Sequence, residues 1–532
     1  MDLLPADWIH AAAARHGERC ALQCGQERLS YAAMARAIEQ DERALAACGV
    51  GQGQVVAWLG LNSAAMLTML FACARRGALF VPLNWRLAPP EHRAMLVECR
   101  PALFIAGAPF ADASAAAEVA PAGTRCVALD EAELPAGWSS MADFLATAGN
   151  GEAPTRAAVL PQPPQPPQSP QSPLLLCYTS GSTGRPKGVL LSHDALCANA
   201  DASVDMHAMS ADDRVLTTLP LFHVGGLNIQ TLPALRQGCS VVLHAKFDPA
   251  ATLATIAQQR ITLTVLVPAQ LDAVMALPEW PDADLSSLRA ITTGSTVVPE
   301  RLCHAVHARG VPLIQVWGAT ETSPIAACQH AEEAQRTAGS AGRAALGVEL
   351  RIVDAVGEAL PTGRSGEILV RGRNVMSGYW QDAQATARVL DKGWFHSGDR
   401  GRLDADGFLR VDGRLKDMII SGGENVSPAE VEIALQDDPD IVEAAVVGRP
   451  DARWGERVVA VVVPRPGAQL EPDAVMARLE GRIARFKQPK QVFVVDALPR
   501  TALGKVRKED VRSLVARLDD EPAPPASRES SA

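Results

Sequence analysis

Short apolar runs alternate with longer segments in which apolar residues recur at helical spacing. In the first hundred residues, helical patterns at 31–48 and 64–76 flank an apolar run at 55–59. Strands that alternate with helices in this way build layered sheets, so the pattern predicts an α/β fold. Further apolar runs with the same alternation lie at 240–243, 262–267 and 290–293.

A change of pattern near residue 415 predicts a second domain. Beyond it, apolar runs and helical segments fill about one hundred residues, which is enough for an independent core. We therefore expect a large multi-subdomain N-terminal domain over 1–414, with layered sheets and helices, and a small mobile α+β C-terminal domain over 415–515. A proline-rich insertion at 161–173 and a disordered tail at 516–532 complete the predicted organisation.

Composition narrows the class of protein. The 532 residues exceed one ordinary core, and the net charge of -10 disfavours general nucleic-acid binding. Eleven scattered cysteines suggest a reduced, cytoplasmic compartment. The N-terminus shows no basic region followed by an apolar run. The most apolar window, 55–74, contains Asn62 and Ser63, so we interpret it as a strand and a buried helix and expect no integral membrane association.

The strongest chemical signal follows the apolar run that ends at Tyr178. The stretch from Thr179 to Gly188, TSGSTGRPKG, combines glycines and hydroxyls with Arg185 and Lys187. Such a loop can point several N–H groups into one concavity and bind a polyphosphate. On these residues alone, a mobile polar loop fits equally well. A Walker A loop is excluded, because Lys187 is followed by glycine and not by Ser or Thr.

With the preceding tyrosine, this stretch resembles the phosphate loop of the adenylate-forming superfamily. That superfamily includes acyl- and aryl-CoA synthetases, adenylation domains of peptide synthetases and luciferases. The resemblance implies catalytic roles for Thr183 and Lys187, and a contact between Thr179 and Mg2+. It implies nucleotide binding by Thr179, Ser180, Gly181, Ser182, Thr183, Gly184 and Lys187.

A second signal is VWGATETSP, from Val316 to Pro324. Trp317 can offer a flat face to adenine, Thr320 a hydroxyl to phosphate and Glu321 a hard oxygen to Mg2+. A buried indole beside a surface acid is the structural alternative. The resemblance places Gly318 in both the nucleotide site and the substrate site. Family members usually carry Tyr at the position of Trp317.

Three shorter motifs extend the resemblance. TTGST resembles the adenine-contacting loop and implies nucleotide contacts for Gly294 and Ser295, although Thr293 replaces the usual first glycine. WFHSGDRG places Asp399 after a glycine, in a predicted turn, where the resemblance makes it the ribose-binding carboxylate. Arg414 resembles a ribose or phosphate contact. A turn aspartate can otherwise simply cap local backbone.

PLFHVGG, from Pro220 to Gly226, supplies the substrate-site candidates. A histidine beside an apolar run is usually a packed core residue. In the resemblance, His223 lines the carboxylate end of the acyl pocket and takes part in catalysis, with Val224 and Gly225 beside it. Gly225 and Gly226 would leave room for a bulky acyl group.

The C-terminal region carries the remaining candidates. Lys416 resembles the hinge about which the small domain rotates, and Lys505 resembles the catalytic lysine. Ser427, followed by Pro428, predicts a helix start. CoA-binding candidates are Gly422, Gly423, Trp454, Phe486 and Lys487. For the aromatic and basic members of this set, a solvated basic helix face with packed aromatics is an equal alternative.

Together these motifs imply an AMP-forming acid–CoA ligase that uses ATP, Mg2+ and CoA on a small-molecule carboxylic acid. The expected substrate is a medium- or long-chain fatty acid or an aryl acid of the hydroxycinnamate or benzoate type. Arg236 could pair with a dicarboxylate, but its position favours neutralising a helix end. The sequence leaves open whether the protein forms a homodimer. The alternatives are an adenylation enzyme that loads a carrier protein in trans, a luciferase-like oxygenase and a non-catalytic nucleotide-binding scaffold.

Overall fold

The apolar runs identified in the sequence form the inner strands of two large sheets. Val55–Leu59 is a strand and Ala64–Arg76 a helix, both with the predicted bounds, and Ser240–Leu243 is a strand as expected. The computed structural model describes residues 3–107, 121, 123–129, 134, 136–147, 169–179, 186–294, 298, 300–415, 419–426, 428–499, 506 and 508–520.

The chain divides into two compact units. The first comprises 1–179 and 186–416, and the second contains 417–532. The strands described in the first unit are β1 Cys20–Cys24, β2 Glu27–Ser30, β3 Val55–Leu59, β4 Leu79–Leu83, β5 Leu103–Ala106, β6 Arg125–Ala128, β7 Ser139–Ser140, β8 Pro173–Thr179, β9 Lys187–Ser192, β10 Arg214–Thr217, β11 Ser240–Leu243, β12 Leu263–Val265, β13 Ala290–Gly294, β14 Leu313–Trp317, β15 Ala327–Cys328, β16 Arg343–Ala344, β17 Val348–Val353, β18 Gly366–Gly372, β19 Gly378–Tyr379, β20 Leu390–Asp391, β21 Trp394–Leu403 and β22 Leu409–Arg414.

Helices cover both faces of these sheets. Those described in the first unit are α1 Pro5–His16, α2 Tyr31–Ala47, α3 Ala64–Arg76, α4 Pro89–Cys99, α5 Met141–Ala146, α6 His193–His207, α7 Val224–Gly226, α8 Leu232–Gln237, α9 Pro249–Gln258, α10 Pro268–Met275, α11 Glu300–His307 and α12 Ala383–Val389. A π-helical turn, Leu227–Thr231, joins α7 to α8, and 3-10 turns lie at Trp280–Asp282 and Thr320–Thr322.

Three sheets organise the described part of the first unit. One has the strand order β16-β15-β14-β13-β12-β10-β11-β1-β2, and the second has the order β19-β9-β8-β4-β3-β5-β6-β7. The third has the order β17-β18-β21-β20, with β22 on β21. Strands β10, β12, β13 and β14 are parallel neighbours, so their carboxyl ends share one edge, where α/β sheets bind ligands.

The main core joins the two large sheets through helices that pack against both. Its largest buried side chains include Trp8, Trp58, Tyr31 and Phe71. The Tyr31 hydroxyl, buried in this core, donates to the carbonyl of Cys239 at 2.7 Å, which satisfies its one polar group. α3 begins at the Ser63 cap, whose side chain accepts from the N–H of Met66.

The second unit is a smaller α+β layer. Its described elements are β23 Ile419–Ser421, β24 Glu424–Val426, β25 Ile441–Asp451, β26 Gly455–Pro464, β27 Gln491–Val494, α13 Pro428–Gln436, α14 Pro472–Ala477 and α15 Lys508–Asp520. Its sheet has the order β24-β23-β26-β25, with β27 on β26. The fold class is confirmed: an α/β chain with a large N-terminal and a small C-terminal part. The helix predicted at Pro428 begins there.

The predicted tail began too early. Residues 516–520 belong to α15, because Val511 and Val515 are buried against the sheet and Asp519 pairs with Arg449 at 3.2 Å. The rest of the tail, and the proline-rich insertion up to residue 168, lie outside the described residues. Among the helices described, none combines the length and apolar character needed to cross a membrane.

Candidate active site

The predicted phosphate loop joins two strands of a hairpin. β8 and β9 are antiparallel, and Thr179 and Lys187 form their last described pair. The Thr179 hydroxyl donates to the carbonyl of Lys187 at 3.4 Å. Lys187 therefore stands at the first residue of a strand, held by the ladder. Among the predicted site residues, Ser180, Gly181, Ser182, Thr183, Gly184, Ser295, Lys416 and Lys505 lie outside the described residues.

Glu321 lies on a tight turn at the carboxyl end of β14. The turn is a 3-10 helix, Thr320–Thr322, and the Thr322 hydroxyl accepts from the N–H of Ala319 at 2.9 Å. Gly318 allows the close approach that this turn needs, since a Cβ there would lie 1.8 Å from the Pro324 carbonyl oxygen. The half-buried Glu321 is thus carried on backbone with little freedom.

Tyr379 connects Glu321 to the strand of Lys187, a link that the sequence analysis missed. The Tyr379 hydroxyl donates to Oε1 of Glu321 at 2.9 Å. The ammonium of Lys187 lies over the Tyr379 ring, 4.8 Å from its centre. Burial, with the Glu321 carboxylate as a second cause, raises the pKa of Tyr379, so the phenol is the donor. No local pattern marks this tyrosine, because its partner is 58 residues away.

Glu321 suits a magnesium ion that arrives with a nucleotide. Among the described residues, no group of three or more His, Cys, Asp or Glu side chains could hold a metal. Mg2+ in nucleotide sites is bound by one or two carboxylates and takes its other ligands from water and phosphates. One carboxylate on a rigid turn fits that donor set. A second contact from Thr179 stays a prediction.

Trp317 and Asp399 are hydrogen-bonded to each other. The indole Nε1–H donates to Oδ2 of Asp399 at 3.1 Å. Trp317 ends β14, and next to it Gly294 ends β13, where a Cβ would lie 2.4 Å from the carbonyl oxygen of Val316. The candidates for adenine and ribose binding are therefore brought together, whereas their nucleotide contacts stay predictions.

The expected turn at Asp399 is wrong. Asp399 lies within β21, whose ladder with β22 places it opposite Arg414. The strand continues through Gly398, which adopts φ +68°, so the glycine absorbs a local irregularity without ending the strand. This pairing also puts the backbones of two predicted nucleotide contacts side by side.

His223 caps a short helix at the end of the segment that follows β10. Its Nδ1 accepts from the N–H of Gly225 at 3.1 Å. When the ring is neutral, its hydrogen is therefore on Nε2, which makes Nε2 a donor suited to a carboxylate oxygen. Next to it, the Phe222 ring packs edge-on against Trp85, with centres 6.4 Å apart.

The two glycines after His223 have different roles. A Cβ on Gly226 would lie 2.3 Å from the backbone carbonyl oxygen of Pro220, so glycine is required there by backbone packing. This corrects the expectation that Gly226 makes room for an acyl group. A Cβ on Gly225 would lie 3.1 Å from Nδ1 of His223, a contact that involves the candidate site directly.

Two buried histidines were not predicted. His207 lies in a polar cluster, with Nε2 at 2.8 Å from the Thr292 hydroxyl and 3.0 Å from Nε2 of Gln230. Both ring nitrogens of His193 are buried, and neither has a partner among the described residues. Burial lowers the pKa of each ring to about 4, so both are neutral near pH 7.

Arg236 is committed to structural contacts. It pairs with Asp201 at 2.7 Å and lies 5.4 Å from the centre of the Trp8 ring. It also occupies the last turn of α8, where a cation complements the helix end. These contacts support the helix-end interpretation over a role in binding a dicarboxylate.

In the second unit, three CoA candidates, Gly422, Gly423 and Trp454, lie together. Gly422 and Gly423 turn the chain with φ +60° and +83°, and the N–H of Gly422 donates to the carbonyl of Trp454 at 2.8 Å. The Arg453 guanidinium and the Lys490 ammonium lie 4.9 and 5.7 Å from the centre of the Trp454 ring. An aromatic face flanked by cations suits an adenine nucleotide, and CoA binding here stays a prediction.

Lys487 has a different environment from that predicted. It is buried, and its Nζ lies 2.5 Å from Oε1 of buried Glu430. Its ammonium also lies 5.7 Å from the centre of the Phe486 ring. A buried, hydrogen-bonded ion pair favours a structural role for Lys487. Its contact with CoA, like that of Phe486, stays a prediction.

Comparisons with known proteins agree on one family. The family model described as "AMP-binding enzyme" matches residues 9–380, and that described as "AMP-binding enzyme C-terminal domain" matches residues 430–505. An indoleacetate–CoA ligase of Aromatoleum aromaticum is 56% identical over 512 residues, which is 96% of this chain and 98% of that protein. A feruloyl-CoA synthase of an Amycolatopsis species is 41% identical over 507 residues, covering 94% and 96%.

Solved structures show the same fold. An amide bond synthetase from Marinactinospora thermotolerans superposes with a TM-score of 0.84 at 30% identity, covering 96% of this chain and 99% of that one. A double mutant of the o-succinylbenzoate CoA synthetase from Bacillus subtilis superposes with a TM-score of 0.82 at 28% identity, covering 95% of this chain and 98% of that one. The chain therefore belongs to the AMP-binding enzymes of the adenylate-forming superfamily, as an acid–thiol ligase of the acyl- and aryl-CoA ligase type.

Proposed function

We propose that this ligase activates an aryl-substituted carboxylic acid of the arylacetate type, with indole-3-acetate as the leading substrate. The 56% identity to an indoleacetate–CoA ligase, over nearly all of both chains, carries the proposal. A long-chain-fatty-acid–CoA ligase of Mycobacterium tuberculosis is only 33% identical. The aromatic pair Trp85 and Phe222 beside His223 is consistent with an aryl ligand.

The proposed reaction has two steps, with ATP and CoA as cosubstrates. In the first, a carboxylate oxygen attacks the α-phosphorus of ATP, the bond to the β-phosphate breaks, and pyrophosphate leaves. The resulting acyl-adenylate is a mixed anhydride. In the second step, the CoA thiolate attacks the acyl carbon, and AMP leaves as the thioester forms.

Residues of the first unit supply binding and charge for the first step. Nε2–H of His223 donates to the substrate carboxylate and orients it. Lys187 faces the developing phosphate charge, and Trp317 with Asp399 holds the nucleoside. Magnesium, held by Glu321, would neutralise phosphate oxygens when bound with the nucleotide. Each well-placed group of this kind is worth about 3 kcal/mol of transition-state stabilisation.

Lys505 is proposed as the lysine of the first step. Its position in PRTALGKVRK resembles that of the family's catalytic lysine. Its ammonium would bind phosphate oxygens as charge builds at the α-phosphate. In the same proposal, Gly422, Gly423 and Trp454 act in the second step, which involves CoA.

The acceptor of the acyl group distinguishes the alternatives. The amide bond synthetase among the structural relatives makes an amine a second candidate acceptor, and a carrier-protein thiol is a third. Free CoA is favoured because the sequence relatives reported above are named as CoA ligases or synthases. Adenylate formed in place should therefore transfer to CoA, and not to an amine or a carrier protein.

A panel of acids tests the proposal. Pyrophosphate release is measured with indole-3-acetate, phenylacetate, ferulate, benzoate, decanoate, palmitate and malonate, each with and without CoA. We expect the highest kcat/KM with indole-3-acetate. A preference for decanoate or palmitate over every aryl acid would contradict the proposed substrate class but leave the ligase assignment standing.

A further inference from the structure

The segment 374–380 connects the turn of Glu321 to the hairpin of Lys187. At its first end, the Asn374 side-chain amide donates to the carbonyls of Thr322 and Ile325 at 3.0 and 2.9 Å. The N–H of Met376 donates to the carbonyl of Glu321 itself at 2.8 Å. These bonds hold the Glu321 turn through its backbone.

At its other end, the same segment pairs with β9. Gly378 and Tyr379 are antiparallel partners of Leu190 and Val189. The N–H of Trp380 donates to the carbonyl of Gly188 at 2.7 Å. The residues that directly follow Lys187 in β9 are therefore hydrogen-bonded through their backbone to the segment that also holds Glu321.

The Tyr379 side chain completes this connection. Only 9% of its surface is exposed, and its hydroxyl is committed to Oε1 of Glu321. Its ring lies against the Lys187 ammonium, an arrangement that attracts a cation through the ring quadrupole. One buried side chain therefore restrains both a candidate magnesium ligand and a candidate phosphate ligand.

We propose that Tyr379 is a positioning residue that orients the Glu321 carboxylate toward the nucleotide-bound magnesium and the Lys187 ammonium toward the phosphates. This inference rests on the proposed use of magnesium–ATP. The hydroxyl fixes the rotation of the carboxylate through Oε1, and the ring fixes the ammonium. Removing a residue that hydrogen-bonds to a metal ligand typically weakens metal affinity ten- to a hundredfold.

Two substitutions distinguish the hydroxyl contact of Tyr379 with Glu321 from its ring contact with Lys187. Tyr379→Phe removes only the hydroxyl bond to Glu321, whereas Tyr379→Leu also removes the ring beneath Lys187. Tyr31→Phe is the matched control, because Tyr31 is also buried and the substitution removes a phenol hydrogen bond to the carbonyl of Cys239. A loss caused only by reduced stability would appear in the control as well.

The test measures binding without turnover. Titration calorimetry with α,β-methylene-ATP is run in Mg2+ and in EDTA, with no acid or CoA present. We expect Y379F to weaken binding about tenfold in Mg2+ and to leave binding in EDTA unchanged. Y379L should weaken both, and Y31F neither. The variant E321Q should lose most of the magnesium effect, and adding Y379F to it should cause no further loss.

Each other result overturns the inference. Equal weakening of Y379F in Mg2+ and EDTA, no weakening at all, or additive losses with E321Q would each show that Tyr379 does not act through Glu321. A Y379F protein that does not fold would assign the hydroxyl to stability alone. Failure of the unmodified protein to bind the analogue would instead contradict the proposed function, so the two failures are distinguishable.

Discussion

The indole N–H of Trp317 donates to Oδ2 of Asp399, 82 residues along the chain, at 3.1 Å. The bond joins the end of β14 to β21, and so connects two sheets of the first unit. Trp317 therefore holds the Asp399 carboxylate through a hydrogen bond, in addition to the stacking role proposed for its ring. An aspartate held in this way has a carboxylate of fixed orientation, which is what the proposed ribose contact of Asp399 requires.

Trp317→Phe should weaken ATP binding by about tenfold or more, because it removes a hydrogen bond to a charged group but keeps a flat face. Trp317→Tyr is the matched variant, since it restores a polar donor on a flat ring, and it should lose less binding. KM for ATP and the Kd of a non-hydrolysable analogue measure both. An equal loss in the two variants would show that the N–H bond to Asp399 does not matter.

Lys505→Ala should slow adenylate formation at least about a hundredfold and largely spare thioester formation from a supplied acyl-adenylate. The charge of this lysine is needed only while phosphate charge builds. Pyrophosphate–ATP exchange follows the first step, and thioester formation from synthetic adenylate follows the second. Lys246→Ala, an exposed lysine of the first unit, is the control. Equal loss of both steps would refute the assignment.

Gly225 and Gly226 should respond differently to a single methyl group. Gly226→Ala drives a Cβ into backbone carbonyl oxygens and should destabilise the protein by about 1–3 kcal/mol. Gly225→Ala instead presses on His223 and should raise KM for the acid without changing KM for ATP. Thermal melting and steady-state kinetics distinguish the two. A Gly226→Ala protein with unchanged melting would contradict the packing argument.

His193 should make the protein less stable as pH falls. Burial lowers its folded pKa to about 4, against 6.5 in the unfolded chain. Between these pH values only the unfolded state binds a proton on this ring. The free energy of unfolding is therefore unaffected by His193 well above pH 6.5 and falls steadily from pH 6.5 toward pH 4. From pH 7.5 to 5.0 the loss is about 2 kcal/mol.

His193→Leu removes this titration and isolates it, because every other titrating group is shared by the two proteins. Urea unfolding at the two pH values should show a smaller acid-induced loss in the variant than in the unmodified protein. The variant should be no less stable at pH 7.5, since both ring nitrogens it removes lack partners among the described residues. An identical pH dependence would contradict the buried neutral ring.

Local patterns predicted the elements better than they predicted the contacts. Val55–Leu59 and Ala64–Arg76 have their predicted bounds, because an apolar run and a helical periodicity mark them locally. The turn expected at Asp399 failed, because its ladder with β22 depends on pairing that short motifs do not encode. Lys487 pairs with Glu430 across 57 residues, a contact that also has no local signal.

The same distinction applies to the candidate site. The motifs TSGSTGRPKG and VWGATETSP drew attention to Lys187, Gly318 and Glu321, and the structure places Lys187 and Glu321 against one tyrosine. Tyr379 itself was missed, since its importance arises only from the strand pairing of β19 with β9. Gly226 was assigned to substrate space, because a sequence shows the absence of a side chain but not the carbonyl that requires it.

The proposed ligase reaction can be followed through all of its products in a single mixture. Purified protein is incubated with ATP, Mg2+, indole-3-acetate and CoA, and AMP, pyrophosphate and thioester are quantified together. The proposed reaction yields AMP and indoleacetyl-CoA in equal amounts, and formation of both should depend on the acid and on CoA. Absence of AMP with every acid of the panel, or release of ADP in its place, would contradict it.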